Sequence, residues 1–134
     1  MNYWRIEIWT VPDGTCRLER DLLKKLRKNE KFVYASLKDK MQRYTETPIK
    51  DVMYHQELEK VSGETNMWEL KFHLFKNEIR FLGCLGLEDE THVYYALYGF
   101  KKKEQQIRDN DRFTARGRIE EFIMYNPYGL QRLL

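Results

Sequence analysis

A chain of 134 residues with only seven glycines and three prolines fits one domain, and it excludes a repeat array, a linker-rich chain or a disordered one. Hydrophobic residues at 42% supply one ordinary core, and charged residues at 34% make the surface densely ionic. The net charge of +3 is only mildly basic, and Cys16 and Cys84, far apart and without a Cys-x-x-Cys partner, exclude a disulfide scaffold and a cysteine-based zinc site.

Tyr3 to Trp9 alternates and is rich in aromatic and β-branched residues, which predicts a first strand. Val11-Pro12-Asp13-Gly14 supplies a turn. From Cys16 to Lys28, Leu18, Leu22, Leu23 and Leu26 recur at helical spacing; from Glu30 to about Tyr44, Val33, Leu37, Met41 and Tyr44 form a second stripe, with Asn29 at the break. The two read as an amphipathic helical hairpin that needs a sheet to cover. Between Glu46 and Asn66 the pattern is less regular, with loop signals at Pro48 and Ser62-Gly63 and a short helical turn expected around Met53 to Lys60.

At Met67 the period changes to two. Leu70, Phe72 and Leu74 share one strand face, and Glu69, Lys71 and His73 share the other. A tight turn at Lys76-Asn77 returns the chain as Ile79 to Leu85, and Glu88-Asp89-Glu90 leads into a third strand, His92 to Tyr98. After Gly99-Phe100 a helix is expected over Asp109 to Tyr125, capped by Asp109 or Asn110 and packed through Ala115, Ile119 and Phe122. The order is α+β: an N-terminal strand and helical hairpin packed on a small antiparallel sheet, then a C-terminal helix.

Charge is clustered late in the chain. Lys101, Lys102, Lys103, Arg108, Arg112, Arg116 and Arg118 are opposed by Glu104, Asp109 and Asp111, an excess of four positive charges, which is the kind of footprint that phosphate binding requires. There is no phosphate-binding Gly-x-x-x-x-Gly-Lys loop, no nucleophile elbow and no metal-spaced cluster, so neither a metal nor a cofactor is expected. No signal pattern or membrane-length apolar run is present, and a cytoplasmic location is expected.

Met67-Trp68-Glu69-Leu70-Lys71, Ile79-Arg80-Phe81, Tyr98-Gly99-Phe100-Lys101-Lys102-Lys103 and Ala115 with Arg116 and Arg118 occur in one order within a short chain. In that order and spacing the sequence resembles the RelE/HigB-like toxin family of type II toxin–antitoxin systems, in particular its phage-derived branch. Lys71 stands where the family usually has Arg, Tyr98 where it often has His, and Arg108 where it often has Pro. The resemblance implies a RelE-like fold and a toxin that cuts mRNA in the ribosomal A site without a metal, through attack by the 2′-hydroxyl. It also implies a neighbouring antitoxin, of helix-turn-helix type, as partner.

Such cleavage needs a base for the 2′-hydroxyl, cations for the phosphorane, an acid for the leaving 5′-oxygen, and a held strand. On that chemistry Arg80 is expected to stabilise the phosphorane, and Lys71 to bind phosphate or, if neighbouring cations favour its neutral amine, to act as base. His73, on the strand face of Lys71, and Tyr98 are candidate acid or base groups. Lys101, Lys102, Lys103, Arg116 and Arg118 are expected along the RNA or ribosomal backbone. The bland alternatives are a surface ion pair for Lys71 and Arg80, a packed tyrosine for Tyr98, and solvated faces for the rest. Two non-catalytic functions also fit: a gyrase-binding protein like the ParE branch, or a decayed phage toxin that binds only its antitoxin.

Overall fold

A computed structural model describes residues 2–102 and 107–126. The architecture is α+β, and the elements follow the expected order with one addition. Strand β1 is Arg5–Ile8. A π-helical stretch, Glu19–Leu23, runs directly into α1 (Lys24–Asn29), and α2 (Lys31–Thr45) follows after a one-residue break at Glu30. Helix α3 (Ile49–Tyr54) and strand β2 (Leu58–Lys60) come next, then β3 (Trp68–Leu74), β4 (Asn77–Glu88), β5 (Thr91–Lys101) and α4 (Asp109–Tyr125). The region around Met53 to Lys60 is therefore not a helical turn. The helix lies earlier, started by Pro48, whose fixed φ suits a helix entrance, and Leu58–Lys60 forms an edge strand.

The five strands lie in the order β1-β5-β4-β3-β2. Strands β2 to β5 are antiparallel, as the meander pattern predicts, while β1 pairs parallel with β5 from Arg5↔Val93 to Ile8↔Ala96, so the sheet is mixed. A parallel pairing needs a long return connection, and the helices between β1 and β2 are part of it. The β3–β4 turn is Phe75-Lys76, one residue earlier than expected, with Phe75 at φ 57°. The β4–β5 turn is Asp89-Glu90, both at positive φ, which matches the twist of a two-residue hairpin.

Two cores sandwich the sheet. On one face Leu22, Leu23, Leu26, Val33 and Leu37 of the helical hairpin meet Leu70, Phe72, Phe81, Ile79, Tyr94 and Ala96. Trp4 anchors the chain start there, donating its indole N–H to the Tyr44 and Thr47 carbonyls at 2.8 and 3.0 Å. On the other face Ala115, Ile119 and Phe122 of α4 cover Leu82, Cys84, Tyr95 and Leu97. Burial pushes the Cys84 thiol up to about 12. Helix α4 starts after Arg108 with no side-chain cap, so neither Asp109 nor Asn110 serves as one.

One irregularity decides what the second face presents. Between Leu82 and Gly83 the β4–β5 register shifts, so that Gly83 faces Ala96 but Leu82 faces Tyr98. The extra residue is Leu97. An extra residue moves every following side chain to the opposite face. Before the shift Tyr95 and Leu97 point to α4, and after it Tyr98 and Phe100 do.

Candidate functional site

Strand alternation places Glu69, Lys71, Arg80, Leu82, Tyr98 and Phe100 on the face that α4 only partly covers. Register settles the question that sequence leaves open: Lys71 is directly opposite Arg80, and Arg80 is directly opposite Phe100. Next to this row lies an open groove of about 520 Å³, lined by Glu59 and Lys60 of β2, Glu69 and Lys71 of β3, Lys102, and Arg112 of α4, among others. Short β2 makes one wall, and its Glu59 sits opposite Glu69.

The charges in this groove are paired unequally. Lys71 Nζ lies 2.9 Å from Glu59 Oε2, and both side chains are partly open, at 27% and 37% exposure. Arg80 is different. Its side chain is only 10% exposed, with Nη1 2.8 Å from Glu78 and Nε 3.3 Å from Glu69 Oε2, the latter pair not aligned for a hydrogen bond. Arg80 therefore lies beneath the surface beside Lys71, between two carboxylates, and does not reach a substrate freely. The Lys102 backbone N–H donates to the Glu78 carbonyl at 2.7 Å, which fixes the lysine at the groove end, and its ammonium has no carboxylate partner among the described residues.

Other expected site residues lie elsewhere. His73 shares the face but sits two residues further out, by the β3–β4 turn, largely exposed and paired with Glu78. Tyr98 donates its hydroxyl to Asp111 at 2.6 Å, its ring lies 5.0 Å beneath the Arg118 guanidinium, and burial with the Asp111 bond pushes its phenol up to about 12. It borders a different groove, between α1, α4 and the outer edge of β5. Lys101 points to the opposite face of the sheet and pairs with Glu30 at the α1–α2 break. Lys103 falls outside the described residues.

The two helix arginines are tied into the fold. Arg116 makes a two-pronged contact with Glu64, at 2.9 and 2.6 Å, holding α4 to the β2–β3 loop; this arginine keeps the Glu64 carboxyl below the usual carboxylate range. Arg118 donates to the Leu97 carbonyl at 2.9 Å and pairs with Asp21 at 2.6 Å. The bulge leaves that carbonyl in need of a donor, and Arg118 provides it. The cationic run between Lys101 and Arg118 is thus split three ways by the fold. In its place the groove gathers Arg112, which belongs to that run, with Glu59 and Lys60, which sequence reading passed over. Three residues of β2 are too few to show a period, and Glu59 is brought to Lys71 only by strand pairing.

A family model described as phage derived protein Gp49-like (DUF891) matches residues 20–120. The chain belongs to this Gp49-like family. The family is associated with toxin–antitoxin systems, and the match takes in both helices of the hairpin, β2 to β5 and most of α4. No curated protein and no solved structure shows significant similarity to the chain. Among the described residues no helix is long and apolar enough to cross a membrane.

Proposed function

We propose that this Gp49-like protein is the toxin of a type II toxin–antitoxin pair, an endoribonuclease of the RelE/HigB kind that cuts mRNA on the translating ribosome. The observation that carries the reading is the open groove lined by Lys71, Lys102 and Arg112, with the buried Arg80 directly opposite Lys71 in the sheet. Cations gathered there suit a phosphate whose charge grows during reaction. The 2′-hydroxyl attacks the adjacent phosphorus, the 5′-oxygen leaves, and a 2′,3′-cyclic phosphate remains. Because Lys71 is held by Glu59, free RNA must displace an ion pair before it binds well. A strand already fixed in the ribosomal A site loses less entropy on docking, which accounts for dependence on the ribosome. The partner is an antitoxin, of helix-turn-helix type, that covers this face or blocks ribosome entry.

A non-catalytic reading, gyrase binding or a decayed toxin that binds only its antitoxin, has one observation in its favour. Lys71, Lys101, Arg80, Arg116 and Arg118 are all engaged by carboxylates. The two readings separate in a cell-free translation reaction supplied with protein stripped of any antitoxin. Mapping of mRNA 5′ ends is expected to show cuts inside translated codons only when ribosomes are present, reduced about 100-fold in Lys71→Ala, the order of loss seen when one transition-state donor is removed. Intact mRNA in the presence of well-folded protein leaves the non-catalytic reading.

A further inference from the structure

The groove holds few groups able to move a proton, and their surroundings rank them. Glu69 is 8% exposed with its Oε2 turned against Arg80. His73 lies out by the hairpin turn with Glu78, the Tyr98 hydroxyl is committed to Asp111 in another groove, and Cys84 is buried in the α4 core. Glu59 remains. It lines the groove, its carboxylate is partly open to solvent, and its one hydrogen-bond partner among the described residues is Lys71, also partly open.

We infer that Glu59 is the proton acceptor and Lys71 the proton donor of the cleavage site, two catalytic residues working as one couple; the inference rests on the endoribonuclease reading above. The Glu59 carboxylate takes the proton of the 2′-hydroxyl as the O2′–P bond forms. The Lys71 ammonium gives a proton to the 5′-oxygen as the P–O5′ bond breaks. The products are a 2′,3′-cyclic phosphate and a 5′-hydroxyl, and the protein is left with a neutral carboxylic acid beside a neutral amine. Those groups stand 2.9 Å apart in the free protein, so the proton passes back along the same contact and the site is reset without an outside acid or base. The ion pair that counts against a free phosphate-binding lysine is, on this view, the resting state of the catalyst.

A leaving group that needs no proton separates the two roles. A synthetic mRNA programmed into the A site carries either the natural 5′-oxygen or a 5′-bridging sulfur at the cut, and single-turnover cleavage is followed for wild type, Glu59→Gln, Glu59→Asp and Lys71→Ala. On the oxygen substrate Glu59→Gln and Lys71→Ala are each expected to be slower by about 10²–10⁴-fold, the usual contribution of a positioned acid or base. On the sulfur substrate Lys71→Ala regains most of its loss while Glu59→Gln regains none. Glu59→Asp, which keeps a carboxylate, is expected to cleave at least about tenfold faster than Glu59→Gln. Ribosome sedimentation of each variant checks that folding and docking survive. Wild-type cleavage with Glu59→Gln within threefold of it, or sulfur rescue of Glu59→Gln, overturns the assignment and leaves the endoribonuclease intact. Failure of wild type to cut either mRNA overturns the endoribonuclease reading and this assignment with it.

Discussion

Arg118→Ala tests whether the last helix contributes cations to RNA or holds the sheet together. In the native chain the Arg118 side chain is 11% exposed, and its guanidinium gives one hydrogen bond to the Leu97 carbonyl, pairs with Asp21 at 2.6 Å and lies over the Tyr98 ring. Removing one partner of a buried pair costs about 3–5 kcal/mol. Asp21 is 23% exposed, so water recovers part of that loss. The bulge carbonyl of Leu97 loses a charge-assisted bond of about 1.5–3 kcal/mol, again partly replaced by water entering the vacated space. Together these give an expected loss of about 2–4 kcal/mol, a large share of the ~5–15 kcal/mol of a typical domain. Arg118→Lys keeps the charge but cannot reach both acceptors with one planar fork, so it is expected to lose about half as much. Urea unfolding followed by tryptophan fluorescence measures both, and an Asp21→Asn cycle is expected to give a coupling energy of at least about 1 kcal/mol. On the endoribonuclease reading proposed above, cleavage per folded molecule is expected to stay near wild type. A loss of stability under about 0.5 kcal/mol, combined with a tenfold fall in cleavage, refutes the reasoning and returns Arg118 to the RNA-binding surface.

Two further perturbations probe the same frame. Gly83→Ala would drive its Cβ into the Tyr95 carbonyl and to 3.2 Å from Ala96 Cα, both backbone groups that cannot swing away, so a loss of about 3 kcal/mol or more is expected in thermal or urea unfolding, and a near-neutral result would mean that the bulge relaxes easily. Glu64, its carboxyl lowered chiefly by the hydrogen bonds of Arg116, binds protons less tightly folded than unfolded, so its contribution is complete above the usual carboxylate range and is lost as pH falls through the lowered value. Glu64→Gln is expected to be less stable near neutrality and to show a shallower acid limb; an unchanged acid limb would remove Glu64 from the account.

Hydrophobic periodicity alone determined most of the architecture. Helical stripes fix α1, α2 and α4, and the change to period two at Met67 fixes β3, because burial of one face forces that spacing on any stable element. The same alternation puts Lys71 on the polar face of β3 and marks Arg80 as the cation on the neighbouring strand. What alternation cannot express is pairing between elements far apart in the chain. Register made Lys71 and Arg80 direct neighbours, a three-residue strand brought Glu59 to within hydrogen-bonding distance of Lys71, and one extra residue at Leu97 turned Tyr98 and Phe100 toward α4. The basic run from Lys101 to Arg118 reads as one patch along the sequence, yet it is divided between two faces of the sheet and the loop-facing side of α4 by carboxylates at Glu30, Asp21 and Glu64. A charge in a sequence has a sign but no partner; tertiary structure assigns the partner, and the partner decides whether the charge stabilises the fold or remains available for chemistry.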